Sequence, residues 1–327
     1  MPAEHFETHP PQIAVHRSLM NSKRRGNIGD AIFYWSTLLL AAGVLVVCLL
    51  IAVQLVRAAW PSITAFGFGF LTTSTWDPVR DIYGAWPYIF GTLLSSFLAL
   101  VIAVPISVGT AIFLTELAPR AIRAPISFIV ELLAAVPSVV YGLWGVFFLV
   151  PLLRPLQSWL STRVGGPFFS GVPTGYSMMA GALILAIMIL PFITAVSREV
   201  ISAVPPAQRE AAFGLGATRW ESIVGPILRT ARSGIIGAII LGLARALGET
   251  MAITMVIGNG RNASLSLLAP GNTLASALAN QFAEADGAQL SALMYLALCL
   301  FAVTIVVNAL ARLLIWNMTR GVKGAAH

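Results

Sequence analysis

Charge is what this sequence has least of. Only 10% of its 327 residues are charged, where a soluble chain of this length carries about a quarter, so it lacks the polar surface to stay in water. Lysine is nearly missing: Lys23 and Lys323 are the only two, both in the tails. Neither follows a GxxxxG, so no phosphate-cradling P-loop can form, and any ATP must be handled by another chain. The four histidines, His5, His9, His16 and His327, also sit in the tails, which excludes a Ser–His pair within the apolar part. The aspartates Asp30, Asp77, Asp81 and Asp286 lie at segment ends or in loops, which excludes an intramembrane aspartyl dyad. The two cysteines, Cys48 and Cys299, lie in apolar runs without any CxxC, so neither a disulfide nor a metal site is expected. Together these absences point away from enzymology and toward transport or binding.

What the sequence has is length of apolar run. It is 57% hydrophobic, with mean hydropathy +0.85. Six segments are long enough to cross a bilayer as helices, at roughly 31–56, 87–115, 126–153, 177–201, 234–258 and 290–316. An all-α membrane bundle of six helices is expected, flanked by polar tails at 1–29 and 321–327. The first segment follows 30 polar residues and spans about 26, too long for the h-region of a cleaved signal peptide. Basic residues fix the direction. Fourteen fall on the side of the tails and of the loops after segments 2 and 4, and five (Arg57, Arg80, Arg154, Arg163, Arg261) on the other. That bias places both termini in the cytoplasm, and it gives the formal charge of +7 a reading that needs no nucleic acid.

Pro105, Pro137 and Pro191 interrupt segments 2, 3 and 4. Each removes a backbone donor and can kink its helix; three together favour a bundle that moves. Residues 57–86 are rich in aromatics and turn residues, which suits the membrane boundary. In 271–285, Leu274, Leu278 and Phe282 recur at helical spacing, predicting a short helix on the surface or dipping inward. Gly234, Ala238, Gly242 and Ala246 form a row of small residues that lets another helix approach closely. Glu131, near the start of segment 3, suits the positive end of its helix or the interface.

The longest cytoplasmic connection is 202–233, SAVPPAQREAAFGLGATRWESIVGPILRTARS. Taken by itself, a short amphipathic helix after Pro205-Pro206 suits either a solvated linker or insertion into another protein's groove. EAAFGLG resembles the EAA loop of importer-type ABC permeases: Glu210, Ala211 and Ala212, then Gly216 after three residues. The resemblance implies that this loop is the coupling helix that docks on a cytoplasmic ATPase. The downstream half departs from the family pattern. Pro226 takes the first apolar slot, and Arg229 follows Leu228 where a proline is usual, implying a different bend into segment 5. Residues 70–96, 104–119, 131–145, 241–259 (LGLARALGETMAITMVIGN) and 266–285 resemble the PstC-type permease subunits of phosphate ABC importers, over about 30–320. The resemblance implies a PstA-type permease as heterodimer partner, two copies of an ATP-binding subunit, an extracytoplasmic phosphate-binding protein, inorganic phosphate as substrate and membrane lipid around it. ATP would be used by the partner subunit, with no cofactor on this chain.

Segment 5 carries the anomaly: Arg245 and Glu249 in apolar surroundings. Arg245 lies about 11 residues in, or ~17 Å, near the middle of a ~30 Å core. An arginine there costs about 2.5–3.5 kcal/mol on insertion scales and is a functional candidate by default. In an unbroken helix, residues four apart share a face, so the two charges could neutralise each other as a packing ion pair. The other reading makes Arg245 a ligand for phosphate oxygens, with Glu249 accepting its O–H and keeping the hold weak. Thr250 and Thr254 could add hydroxyl contacts, or bond to their own backbone. In the PstC-type permeases the arginine and glutamate of this motif are associated with translocation. Alternatives are a permease for another oxyanion such as molybdate or sulfate, a secondary phosphate transporter working without an ATPase, and a membrane sensor of phosphate status.

Overall fold

The computed structural model describes residues 28–323, without the side chains of 28, 314, 315 and 317–323. Most of the predicted tails therefore lie outside the described residues, and with them the four histidines, Arg17, Lys23, Arg24 and Arg25. The described chain is helical, and six helices are long and apolar enough to cross a membrane, as expected. Residues up to Gln54 and from Leu55 onward form two units. Helix α1 (Ile28–Phe66) belongs to the first unit as far as Gln54 and exposes every described side chain from Gly29 to Ile51.

The remaining elements are α2 (Trp86–Ile112), α3 (Arg120–Ala135), α4 (Ser138–Trp144), α5 (Val150–Arg163), α6 (Met178–Ser202), α7 (Pro206–Gly214), α8 (Leu228–Leu247), α9 (Met251–Val256), α10 (Leu274–Gln281) and α11 (Gly287–Lys323). Helix α6 is the axis of the second unit: 61% of its most apolar stretch is buried, and no other membrane-length helix exceeds 33%. The small-residue row of α8 packs on it. A Cβ on Gly242 would lie 2.6 Å from Ile193 and one on Gly234 2.4 Å from Val200, so the ridge faces a helix of this same chain. On the other side α6 meets α2 through buried hydroxyls. Ser107 donates to the Leu190 carbonyl at 3.0 Å and Thr194 to the same carbonyl at 2.8 Å.

Segment 3 is not one helix over 126–153. Val136, before Pro137, is extended (φ −63°, ψ 131°), since a proline ring disfavours the helical conformation in the residue before it. The chain stops at Ala135 and restarts at Ser138, and the second piece runs through a π-helical turn, Gly145–Leu149, to Arg163. Pro105 and Pro191 leave α2 and α6 unbroken. One further expectation changes, and one of two alternatives is decided. The aromatic residues of 57–86 do not simply line a boundary: Phe70, Trp76 and Tyr83 are buried, together with Tyr88 of α2. Phe70 stacks on Tyr295 at 4.2 Å, and Trp76 meets Tyr83 and Tyr88 edge-on at 5.0 and 5.2 Å. Helix α10 dips inward, with Leu274, Ala275, Ser276 and Ala277 buried. Its start is pinned by Thr92, whose hydroxyl accepts from Leu274 N at 2.9 Å.

The chain leading into α10 crosses α2 at Gly91, where an added Cβ would lie 1.9 Å from the carbonyl oxygen of Asn272. A backbone atom cannot step aside as a side-chain tip can. Gly91→Ala should therefore destabilise the protein by about 1–3 kcal/mol, the usual cost of overpacking, and thermal unfolding of the purified transporter measures it. An unshifted transition would show that the 257–274 segment does not rest on α2.

Candidate functional site

The expected site residues fall into two groups at opposite ends of α8. At the first end, the helix expected to run to 258 stops at Leu247. Gly248 ends it with φ −92° and ψ 0°, Glu249 and Thr250 (φ −110°, ψ −60°) lie outside any helix, and α9 starts anew at Met251. The local cause is legible: glycine costs about 1 kcal/mol in a helix, and Glu249 supplies what a new helix needs at its start. Its carboxylate accepts from Ala252 N at 3.0 Å, satisfying one of the orphan donors and favouring the positive end of the new turn. The Thr250 hydroxyl donates to the Gly248 carbonyl at 3.3 Å, and that of Thr254 donates to the Thr250 carbonyl. Asn259, in left-handed geometry (φ 53°), donates to Thr254 O at 3.2 Å and accepts from Ser276 Oγ at 3.0 Å, tying the end of α9 to α10.

The break overturns the premise of an ion pair across one helix face. Ion pairs among the described residues include Asp77–Arg80, Glu131–Arg198 and Glu116–Arg209, but none joins Arg245 to Glu249. Instead, the half-buried Arg245 guanidinium lies over the Phe192 ring of α6, 5.7 Å from its centroid. Such a contact contributes about 0.5–2 kcal/mol as the site is desolvated. Phe192 escaped the sequence reading, and the only local hint was its place after Pro191. Glu131 also resolves differently from a helix-end charge: it accepts from Arg198 of α6 at 2.6 Å.

At the other end, Glu210, Ala211 and Ala212 lie on α7, with Glu210 and Ala211 exposed and Ala212 half-buried. Pro206 opens this helix at its first position, where no N–H is needed. Gly216 closes it. Its φ of +85° allows Ala217 N to reach Ala212 O at 3.0 Å and Gly216 N to reach Phe213 O at 2.9 Å, the paired bonds of a Schellman stop. The glycine of the motif is thus a conformational requirement. Thr218 and Glu221 then form a reciprocal capping box, and the bend expected near Pro226 is a π-helical turn, Ile223–Ile227. Phe213, Leu215 and Trp220 stay exposed on this elbow.

The sequence model of the family described as "Binding-protein-dependent transport system inner membrane component" matches residues 103–316, which contain both ends of α8. The chain belongs to this family. Among its relatives is the phosphate transport system permease protein PstC of Haemophilus influenzae, 49% identical over 88% of this chain and 94% of that protein. The protein of the same name from Mesorhizobium japonicum is 44% identical over 93% and 95%. A bacterial ABC transporter involved in the import of the polysaccharide alginate shares the fold, with TM-score 0.57 at 18% identity over 89% of this chain and 98% of that one. A member of this family is a multi-pass protein of the plasma membrane. It is a non-catalytic transport subunit, and it works with an ATPase and a substrate-binding protein.

The cap at Glu249 separates the residue's shape from its charge. Glu249→Gln keeps an acceptor for Ala252 N and should unfold near the wild-type temperature. Glu249→Ala should cost about 1 kcal/mol, as the loss of a capping side chain does. Thermal unfolding of the assembled transporter compares them, and equal losses in the two variants would rule out the cap.

Proposed function

We propose that this chain is the PstC-type permease subunit of an ATP-driven importer of inorganic phosphate. It forms the translocation path with a PstA-type permease. Two copies of an ATP-binding subunit drive it from the cytoplasm, and an extracytoplasmic phosphate-binding protein delivers the substrate. Residues 30–320 are the permease domain and 202–233 its coupling loop. Both termini are cytoplasmic, the side that carries fourteen of the twenty basic residues. No cofactor resides on this chain; ATP is hydrolysed on the partner. The names of the relatives and the RALGET stretch support phosphate as the cargo.

One observation carries the site: Arg245 is a half-buried cation with no carboxylate partner among the described residues, in the last turn of a membrane-length helix. With one face of its guanidinium on Phe192, its edges, where the N–H donors lie, remain for a ligand. Phosphate oxygens match that fork. Glu249 holds its carboxylate on Ala252 N, four residues from the arginine. Its negative charge weakens the hold on an anion, and its oxygens can accept the O–H of monobasic phosphate, so capture is followed by release. Thr250 and Thr254 give their hydroxyl protons to backbone carbonyls, which leaves their oxygens as acceptors for the same O–H.

On the cytoplasmic face, Glu210, Ala211 and Ala212 dock on the ATPase, with Gly216 setting the angle of the elbow. ATP binding there moves the 202–233 loop and switches the cavity between the two permeases from outward to inward access. Arg245→Gln should abolish ATP-dependent phosphate uptake while the subunits still co-purify; uptake at the wild-type level would sink the assignment of the site. Excess molybdate or sulfate should leave phosphate uptake nearly unchanged in vesicles carrying the whole transporter. Strong competition by either anion would reassign the cargo, and uptake without the ATPase subunits would reassign the mechanism.

A further inference from the structure

Helix α7 has no buried residue. The surface expected to receive the ATPase is therefore not keyed into the membrane bundle by an apolar core of its own. Two adjacent side chains fasten it instead. Arg209 donates to Glu116 Oε1 through Nη2 at 2.8 Å and Nε at 3.2 Å, with Nε also 3.4 Å from Oε2, a charge-assisted pair that engages both carboxylate oxygens. The same guanidinium donates through Nη1 to Val204 O at 2.7 Å and through Nη2 to Ile201 O at 3.1 Å. One residue earlier, Gln208 accepts from the Thr230 hydroxyl at 2.9 Å.

These bonds reach three membrane helices. Ile201 lies in the last turn of α6, with Val204 just beyond its end. Thr230 is in the first turn of α8, the helix that ends beside Arg245. Glu116 sits in the π-helical turn Phe113–Leu117 that finishes the span begun by α2, and such turns collect at functional positions. That turn is braced in its own right: Arg123 donates to Thr115 O at 3.0 Å and to Ala118 O at 3.3 Å. The Arg209 and Glu116 side chains are only 23% and 13% exposed, so solvent and salt screen the pair far less than a surface pair. It also borders a cavity of about 540 Å³, which gives the surrounding helix ends room to shift while the pair stays closed.

We propose that the Arg209–Glu116 pair is the strut through which motion of the 206–214 helix reaches the membrane helices, with Arg209 and Glu116 as positioning residues for transport. The proposal rests on the reading of that helix as the ATPase-docking element, and it goes beyond it by naming what transmits the force. The motif residues Glu210, Ala211 and Ala212 face the partner; Arg209 faces the bundle.

The test uses the whole transporter, both permeases and the ATPase subunits, in liposomes with its phosphate-loaded binding protein. Phosphate imported and ATP hydrolysed are measured together. Glu116→Gln and Arg209→Met should assemble and keep basal ATP hydrolysis, while phosphate imported per ATP falls at least fivefold, roughly the lower end of ordinary coupling between sites. The double variant should fall no further than the worse single one, since a pair that acts as a unit is not additive. An unchanged ratio, a loss of assembled complex alone, or single losses that multiply in the double variant would each overturn the strut. Should Arg209→Met fail to assemble, the near-isosteric Glu116→Gln decides through its ratio alone. Absence of ATP-dependent uptake by the wild type would overturn the reading of the docking helix as well. Wild-type uptake with an unaltered Glu116→Gln ratio would overturn the strut only.

Discussion

Inside a hydrocarbon layer every backbone donor and acceptor must find a partner within the protein, and each irregularity of this fold is arranged around that demand. Pro137 has no N–H to offer the carbonyl four residues before it, Leu133. The Tyr141 hydroxyl donates to that carbonyl at 2.8 Å. Pro119 leaves the Thr115 carbonyl in the same position, and Arg123 donates to it at 3.0 Å. In both cases the replacement donor lies four residues after the proline, so the chain turns back over its own break. The third break, at Gly248–Thr250, is closed by Glu249, Thr250 and Thr254 from within the motif itself. Breaks that would be ruinous in lipid are held by local side chains, and so the helices can be re-aimed without exposing bare amides.

The few charges of the described second unit are placed by the same economy. Glu116 and Glu131 are each covered by an arginine from a distant part of the chain, and Arg123 is spent on carbonyls. Arg245 differs in resting against a ring rather than an anion. Deep in an apolar environment, a cation without a counter-ion is held only where something else compensates, and here Phe192 and the helix end share that role. Where Arg198 and Arg209 each rest on a carboxylate, Arg245 rests on a ring, which is the arrangement the proposed anion ligand requires.

Much of this was legible in the sequence. Six apolar runs predict six helices because hydropathy acts through length, and the EAA stretch and RALGET are local patterns. The stop after Leu247 was not legible. The penalties of Gly248 and Thr250 are each about 1 kcal/mol or less, and the capping bond of Glu249 depends on a geometry that exists only once the helix has broken. Phe192 under Arg245 and Glu116 against Arg209 join residues far apart in the chain, which periodicity cannot see. The aromatic cluster around Phe70 and Tyr295 was missed for a related reason: rings that suit a membrane boundary also suit a core, and only the partner across the fold distinguishes the two.

Helix α8 runs without a break from Leu228 to Leu247, so Thr230 and Arg245 stand on one rod about 22 Å apart at 1.5 Å per residue. Pivoting such a rod by about 10° at its Thr230 end sweeps the far end through roughly 4 Å, more than the length of a hydrogen bond. An anion held there by a planar fork would lose its contacts within that arc. With Arg245 as the anion ligand proposed above, the rigidity of twenty residues of regular helix would convert a small angular change at one end into an all-or-none change of grip at the other, and a kink anywhere along it would blunt the response.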